Sequence, residues 1–470
     1  MITTCFRIVS QPNFEMSVQG LEVPDGTVAA PETKPQPDAR ALLVFFMFLL
    51  FLIPARLVIG AMGAPGSPAA LFSLGLLVWW CAGQIMSHDW NSPGRHPIRL
   101  LMMAFTLAAL ISYIMGALYG LPDLEASGAD RGMLSVLGWV GLCLVACDML
   151  KSRESIDRLL QVLTYLVTFV AVLGIIQFLT HFDISNYITI PGLTANGSLD
   201  TTADRSGFLR VSATTSHPIE FGVMVASVYP LALHYALDDP RAPKWLRWTV
   251  VVILTIAIPL AVSRSAVLGI TVAMIVLLIS WPSSRRWMAL LVTPLILAAM
   301  RVTMPGLLGT LFSGFTHSDD SIKGRTDDYA VIGTYIDRSP FVGTGFGTFI
   351  PKTNIILDNQ YLGSTVEMGY VGSGLLLLMM IVGFATARGV VRRAPDSSTR
   401  SLGVSLSASI LVLGVTFATF DGLGFPIAAA LLFLLLGVTG ALWRVVGGPS
   451  QVQRLPNWMK RDEGSVRPAA

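Results

Sequence analysis

From Ala41 to Val445 the chain is a succession of apolar runs, and such a chain has few ways to fold. Each run is about 17–25 residues long, the length that carries a helix across roughly 30 Å of hydrocarbon. In lipid, every backbone N–H and C=O has to be bonded within the protein, so such runs become helices. They fall near 41–60, 69–86, 98–119, 133–150, 159–180, 219–237, 247–263, 265–281, 287–303, 361–387, 402–420 and 425–445. The expected fold is an all-α polytopic integral membrane protein with about twelve transmembrane helices over 41–445. Composition agrees: 53% of residues are hydrophobic and only 13% charged, with a mean hydropathy of +0.65.

The connecting loops alternate in charge. Cations gather in every second loop: Arg95 and Arg99; Lys151, Arg153 and Arg158; Arg241, Lys244 and Arg247; Arg285 and Arg286; Arg388, Arg392, Arg393 and Arg400. The intervening short loops carry almost none, and 120–132 is acidic through Asp123, Glu125 and Asp130. The positive-inside rule therefore places both termini in the cytoplasm. Residues 1–40, polar and rich in proline, are expected to be a disordered cytoplasmic tail, and 446–470 a second cytoplasmic tail. Two long segments then fall outside, at 181–218 and 304–360. The latter, between spans 9 and 10, is expected to form a long helical extracytoplasmic loop. A net charge of +3 gives no reason to expect a nucleic acid partner. Cys5, Cys81, Cys143 and Cys147 lie in the tail or in apolar runs, where they read as packing residues.

Three arginines fall on the outer face: Arg210, Arg264 and Arg325. Arg264 lies between two apolar runs with almost no polar spacer. A cation there is costly unless it meets a cavity or an anion. Guanidinium forks on one face suit a large anion such as a pyrophosphate. The plainer readings are that Arg264 caps a helix or snorkels to headgroups, and that Arg210 and Arg325 are solvated loop residues. His217, before Pro218, is either a base or substrate contact or simply the residue that opens a helix. The acidic stretch holding Asp319, Asp320, Asp327 and Asp328 reads as a solvated loop.

Several short motifs share that face. They are Ser263-Arg264-Ser265, Gly324-Arg325, the glycine-rich Pro340–Gly347, Asp358-Asn359 and Glu367-Met-Gly369-Tyr-Val-Gly372. The Gly-x-Gly-x-Gly at 343–347 lacks the preceding strand of a dinucleotide site and reads as a tight turn. Their order and spacing over about 200–372 resemble the O-antigen ligase/polymerase superfamily of surface-polysaccharide assembly. In the ligase branch of that family a histidine stands where this chain has Asp358. A carboxylate accepts a proton but cannot donate and accept at once as an imidazole does, which turns the expectation toward the polymerase branch.

The resemblance implies a bacterial cytoplasmic (inner) membrane glycosyltransferase with its active site on the extracytoplasmic face. The donor would be a polyprenyl-pyrophosphate-linked glycan and the acceptor a sugar hydroxyl, most simply for polymerising repeat units. A ligase moving the finished glycan onto a lipid, wall or protein acceptor is the alternative. A lipid-linked glycan flippase or secondary transporter is the alternative of another class, but carriers show two comparable halves. A peptidoglycan-type polymerase has a similar bundle, which the motif order fits less well. The expected catalytic residues are Arg264, Arg325, Asp358 and Glu367, and the expected substrate contacts are Arg210, His217, Asn359, Gly369 and Gly372. No cofactor or metal is called for if arginines neutralise the leaving group. A chain-length regulator and a flippase are candidate partners beside the bilayer itself.

Overall fold

The computed structural model describes residues 39–86, 96–196, 204–205, 208–239, 241–303, 332–350, 355 and 357–447. A helix covers most of each apolar run of the sequence. These are α1 (Ala39–Leu52), α2 (Pro68–Met86), α3 (Pro97–Tyr119), α4 (Asp123–Met149), α5 (Arg153–Thr180) and α6 (Pro218–Asp238). They continue as α7 (Lys244–Leu260), α8 (Arg264–Ser280), α9 (Ser283–Thr303), α10 (Gln360–Arg393), α11 (Ser397–Thr416) and α12 (Pro426–Gly447). Eight of them, α2 to α6 and α10 to α12, are long and apolar enough to cross a membrane; α1 and α8 are shorter apolar helices. The protein is a polytopic, all-helical membrane protein.

α6 and α12 form the centre. Both are apolar around almost their whole circumference and nearly all their residues are buried, as expected of core helices. α12 packs on α4 and α10, while α6 packs on α7, α8 and α11. Trp139 of α4 stacks on Phe433 of α12 at 5.1 Å between ring centroids. α9 differs, with α8 as its main neighbour and Trp287, Leu291 and Leu295 exposed.

Two helices depart most from the sequence expectation at their ends. α1 stops at Leu52, before Pro54, so Arg56 lies in a loop rather than inside a span. There its guanidinium hydrogen-bonds to Asn186 and the carbonyl of Ser185. Nearby, the two-residue strand β1 (Leu57–Val58) pairs antiparallel with β2 (Thr194–Ala195). β3 (Asp204–Arg205) and β4 (Phe208–Leu209) make a second antiparallel pair. α4 instead begins ten residues before the expected 133, at Asp123. Asp123 and Glu125 sit in its first turn, where carboxylates complement the helix dipole, so the acidic "loop" is helical.

The cation-rich loops gather at one end of the bundle and pair there. Arg285 grips Asp238 through two bonds of 2.7 and 2.9 Å, and Arg241 meets Asp157 at 2.8 Å. At the other end lie the loops that carry Arg56, Arg210 and Ser263. Residues 1–38, 304–331 and 448–470 hold the expected tails and much of the expected helical outer loop; they lie outside the described residues.

Candidate functional site

Two strained turns meet at the cation-poor end. Val211 N–H donates to Leu260 C=O at 3.4 Å, which joins the loop carrying buried Arg210 to the turn that leads into Arg264. The Gln177 side-chain oxygen accepts from Ser212 N–H (3.2 Å) and Ala213 N–H (2.7 Å), fixing the loop from α5. Ala213 and Val262 both hold positive φ, at 50° and 42°. For a β-branched residue such as Val262 this conformation costs on the order of 1–3 kcal/mol and persists only where surrounding contacts impose it. Val262 and Ser263 then lead directly into Arg264, the first residue of α8, and Ser265 Oγ lies 2.7 Å from Thr419 Oγ1 on the α11–α12 turn.

Beside these turns lies a cavity of about 330 Å³, lined by His217, Asp358, Glu367, Asp421 and the rings of Phe349 and Phe420. His217 is the N-cap of α6: its Nδ1 accepts from Ile219 N–H at 3.1 Å, so the neutral ring carries its proton on Nε2. Burial, then the charge of Arg210, pulls His217 down to about 4, with Asp358 opposing. Asp421 offers surface to the cavity, yet protein walls it in from most directions. That desolvation lifts its carboxyl to about 6, against a hydrogen bond from the Gly424 backbone and with a further push from Asp358. Asp358 itself is exposed at the cavity, just ahead of α10.

Glu367 sits where α10 breaks. Gly369 has φ 67° and ψ −175°, which interrupts the helix. The chain from Pro340 to Phe349 docks into that break. Thr344 and Gly345 N–H groups both donate to the Glu367 carbonyl at 2.9 Å, and Tyr370 N–H donates to Pro340 C=O at 2.8 Å. Ser112 of α3 joins the pair, donating to the Glu367 carbonyl (2.9 Å) and accepting from Gly345 N–H (2.9 Å). A Cβ on Gly343 would lie 2.0 Å from the Glu367 carbonyl oxygen, so a side chain there excludes the loop. The Gly-x-Gly-x-Gly segment is thus a wedge that seats the loop on the broken helix. The seated loop then brings Phe349 N–H to the Glu367 carboxylate at 3.2 Å.

The fold brings His217, Asp358 and Glu367 to one cavity and couples Arg210 electrostatically to His217. Asn359 is turned to structure, its Oδ1 accepting from Tyr361 N–H at 3.0 Å as the N-cap of α10. Gly369 is the helix break itself, close against the Phe341 backbone, and Gly372 lies one turn further on against the Met368 side chain. Arg325 and the acidic residues at 319–320 and 327–328 lie outside the described residues.

Sequence reading missed two carboxylates. Asp421 was findable as the lone acid in the short turn between the last two apolar runs, on the same face as the arginines. Glu220 had no such signal. Fully buried, it accepts from Ser216 N–H (2.8 Å) and Oγ (2.7 Å), and from Ile427 N–H (2.7 Å) and Ala428 N–H (3.3 Å). It ties the starts of α6 and α12 together. Among the described residues, no group of three or more His, Cys, Asp or Glu is arranged to hold a metal ion.

The stretch from α7 through the glycine loop into α10 is also where the chain meets known proteins. Residues 249–377 match the family model for O-antigen ligase. The matched stretch contains Arg264, Arg325, Asp358 and Glu367, while Arg210, His217 and Asp421 lie outside it. No curated protein matches the chain.

Proposed function

We propose that the protein is a bacterial inner-membrane glycosyltransferase that takes a glycan from a polyprenyl-pyrophosphate carrier and joins it to a sugar hydroxyl, polymerising repeat units. The observation that carries this reading is one cavity holding three carboxylates and a neutral histidine beside the arginine-bearing turns, in a chain with an O-antigen ligase domain. The acceptor O–H attacks the anomeric carbon, and the bond from that carbon to the phosphate oxygen breaks. The carrier pyrophosphate departs with the electron pair, and the acceptor proton passes to a carboxylate. Arg264, Arg210 and Arg325 neutralise charge growing on the pyrophosphate, which suits guanidinium because it stays charged and binds two oxygens at once. We take Asp421 as the base: with its carboxyl lifted to about 6, it accepts a proton near neutral pH more strongly than an ordinary carboxylate does. Asp358 and Glu367 orient the acceptor. The site would face the extracytoplasmic side, since the paired cationic loops lie at the opposite end.

The test is a comparison of the cell envelope with and without the gene. Loss of long polymer with accumulation of single lipid-linked repeats identifies a polymerase. Long glycan left on the carrier identifies a ligase. Lipid-linked glycan held on the cytoplasmic leaflet refutes glycan transfer altogether and indicates a flippase. A chain-length regulator would alter polymer length without altering the cavity chemistry.

A further inference from the structure

A second and larger cavity, about 640 Å³, lies between α6, α7, α8 and α9. Its walls are almost wholly apolar, formed by residues such as Leu233, Val252, Ile256, Met274, Ala289 and Val292. Along α7 it runs from Trp248 to Pro259, roughly 16 Å at helical rise, which is about the depth of one leaflet. On α6, α8 and α9 its lining residues belong to the half of each helix away from the candidate site, ending at Trp281 and Arg285.

That end has the character of a membrane interface. Trp248 and Trp281 are residues that settle at the headgroup level. Around them, Arg247 donates to the carbonyls of Tyr235 and Ala236, and Arg286 donates to the carbonyls of Trp281 and Ile279. Those partners carry no formal charge, so the arginines keep their attraction for a phosphate. The cavity exists because α9 stands off from the bundle, with α8 its main neighbour. At hydrocarbon depth water is excluded, and an unfilled apolar gap of this size forfeits contacts on every wall.

We infer that this cavity holds one acyl chain of a glycerophospholipid from the leaflet opposite the candidate site, its phosphate at the Trp248–Trp281–Arg286 end. The inference depends on membrane placement alone and stands apart from the glycan-transfer reading. It makes the protein a binder of a bilayer lipid at a site separate from the carboxylate cavity.

The test is native mass spectrometry of the full chain released from membranes in mild detergent. One phospholipid mass per chain should survive collisional activation. Ala289→Trp on α9 and Val252→Trp on α7 each fill the cavity from a different wall. Each should lower the retained fraction about tenfold at unchanged helix content. Two substitutions on different helices keep the test valid if one of them fails to fold. Absence of retained lipid in the unaltered protein, full retention in the folded variants, or a polyprenyl mass in place of a phospholipid each overturns the assignment.

Discussion

Glu220 of α6 accepts the backbone N–H of Ile427, at the start of α12, across 2.7 Å. The two residues are far apart in sequence, yet this carboxylate completes the N-terminus of α12 while also bonding Ser216. Glu220→Ala should leave several buried donors without acceptors, a loss of about 1–3 kcal/mol for each unsatisfied group. Glu220→Gln should recover only part, because its amide nitrogen would face N–H donors. Thermal melting in detergent checks both; an unchanged midpoint for the alanine variant would refute the structural role.

Arg264→Ala should abolish polymer while the protein still inserts, and Arg264→Lys should remain poor because a point charge lacks the two-pronged fork. Quantifying glycan product against protein in isolated membranes decides this. Full activity of the lysine variant would mean that charge alone suffices.

Arginine chemistry at the leaving group carries a second expectation. Chelation with EDTA should leave the rate of glycan transfer in washed membranes within about twofold, since electrostatic stabilisation is supplied by fixed side chains. A rate restored only by added Mg²⁺ or Mn²⁺ would assign that task to a metal.

Asp421 links activity and stability in opposite directions. Its carboxyl is lifted from 3.8 to about 6 by desolvation, so the folded state binds this proton more readily than the unfolded chain. The stabilising contribution is therefore fully present below about 3.8 and is lost as pH rises through about 6. At pH 7.5, Asp421→Asn should keep or raise the melting midpoint while cutting turnover at least about 100-fold, the scale of general-base catalysis. In the parent protein the rate should fall as pH drops through about 6, and that limb should vanish in the variant.

Gly369→Ala should cost about 1–3 kcal/mol from a positive-φ, extended-ψ conformation that essentially only glycine adopts, and more from contact with the Phe341 backbone. With the break distorted, the glycine wedge loses its seat. Limited proteolysis should then cut within 339–350 in the variant and spare the parent.

The helices were legible because an apolar run in lipid leaves the backbone no partner but itself. Their ends were not: Pro54 shortens α1, and the acids of the first turn lengthen α4. His217, Asp358 and Glu367 were singled out from neighbouring motifs, and all three line one cavity. The roles of Gln177 and Glu220 were hidden, since each depends on a partner supplied by another helix or loop. Periodicity reports which face of a helix is apolar; it carries no information about which loop will lie against that face.

The broken helix also sets an order of construction. Ser112 comes from α3, the wedge from 343–347, Glu367 from α10 and Asp421 from beyond α11. No chain that stops short of Asp421 contains all four. The cavity can exist only after α11 and the turn that follows it have left the insertion machinery, so a nascent chain meets its substrates with no working site until assembly is nearly finished.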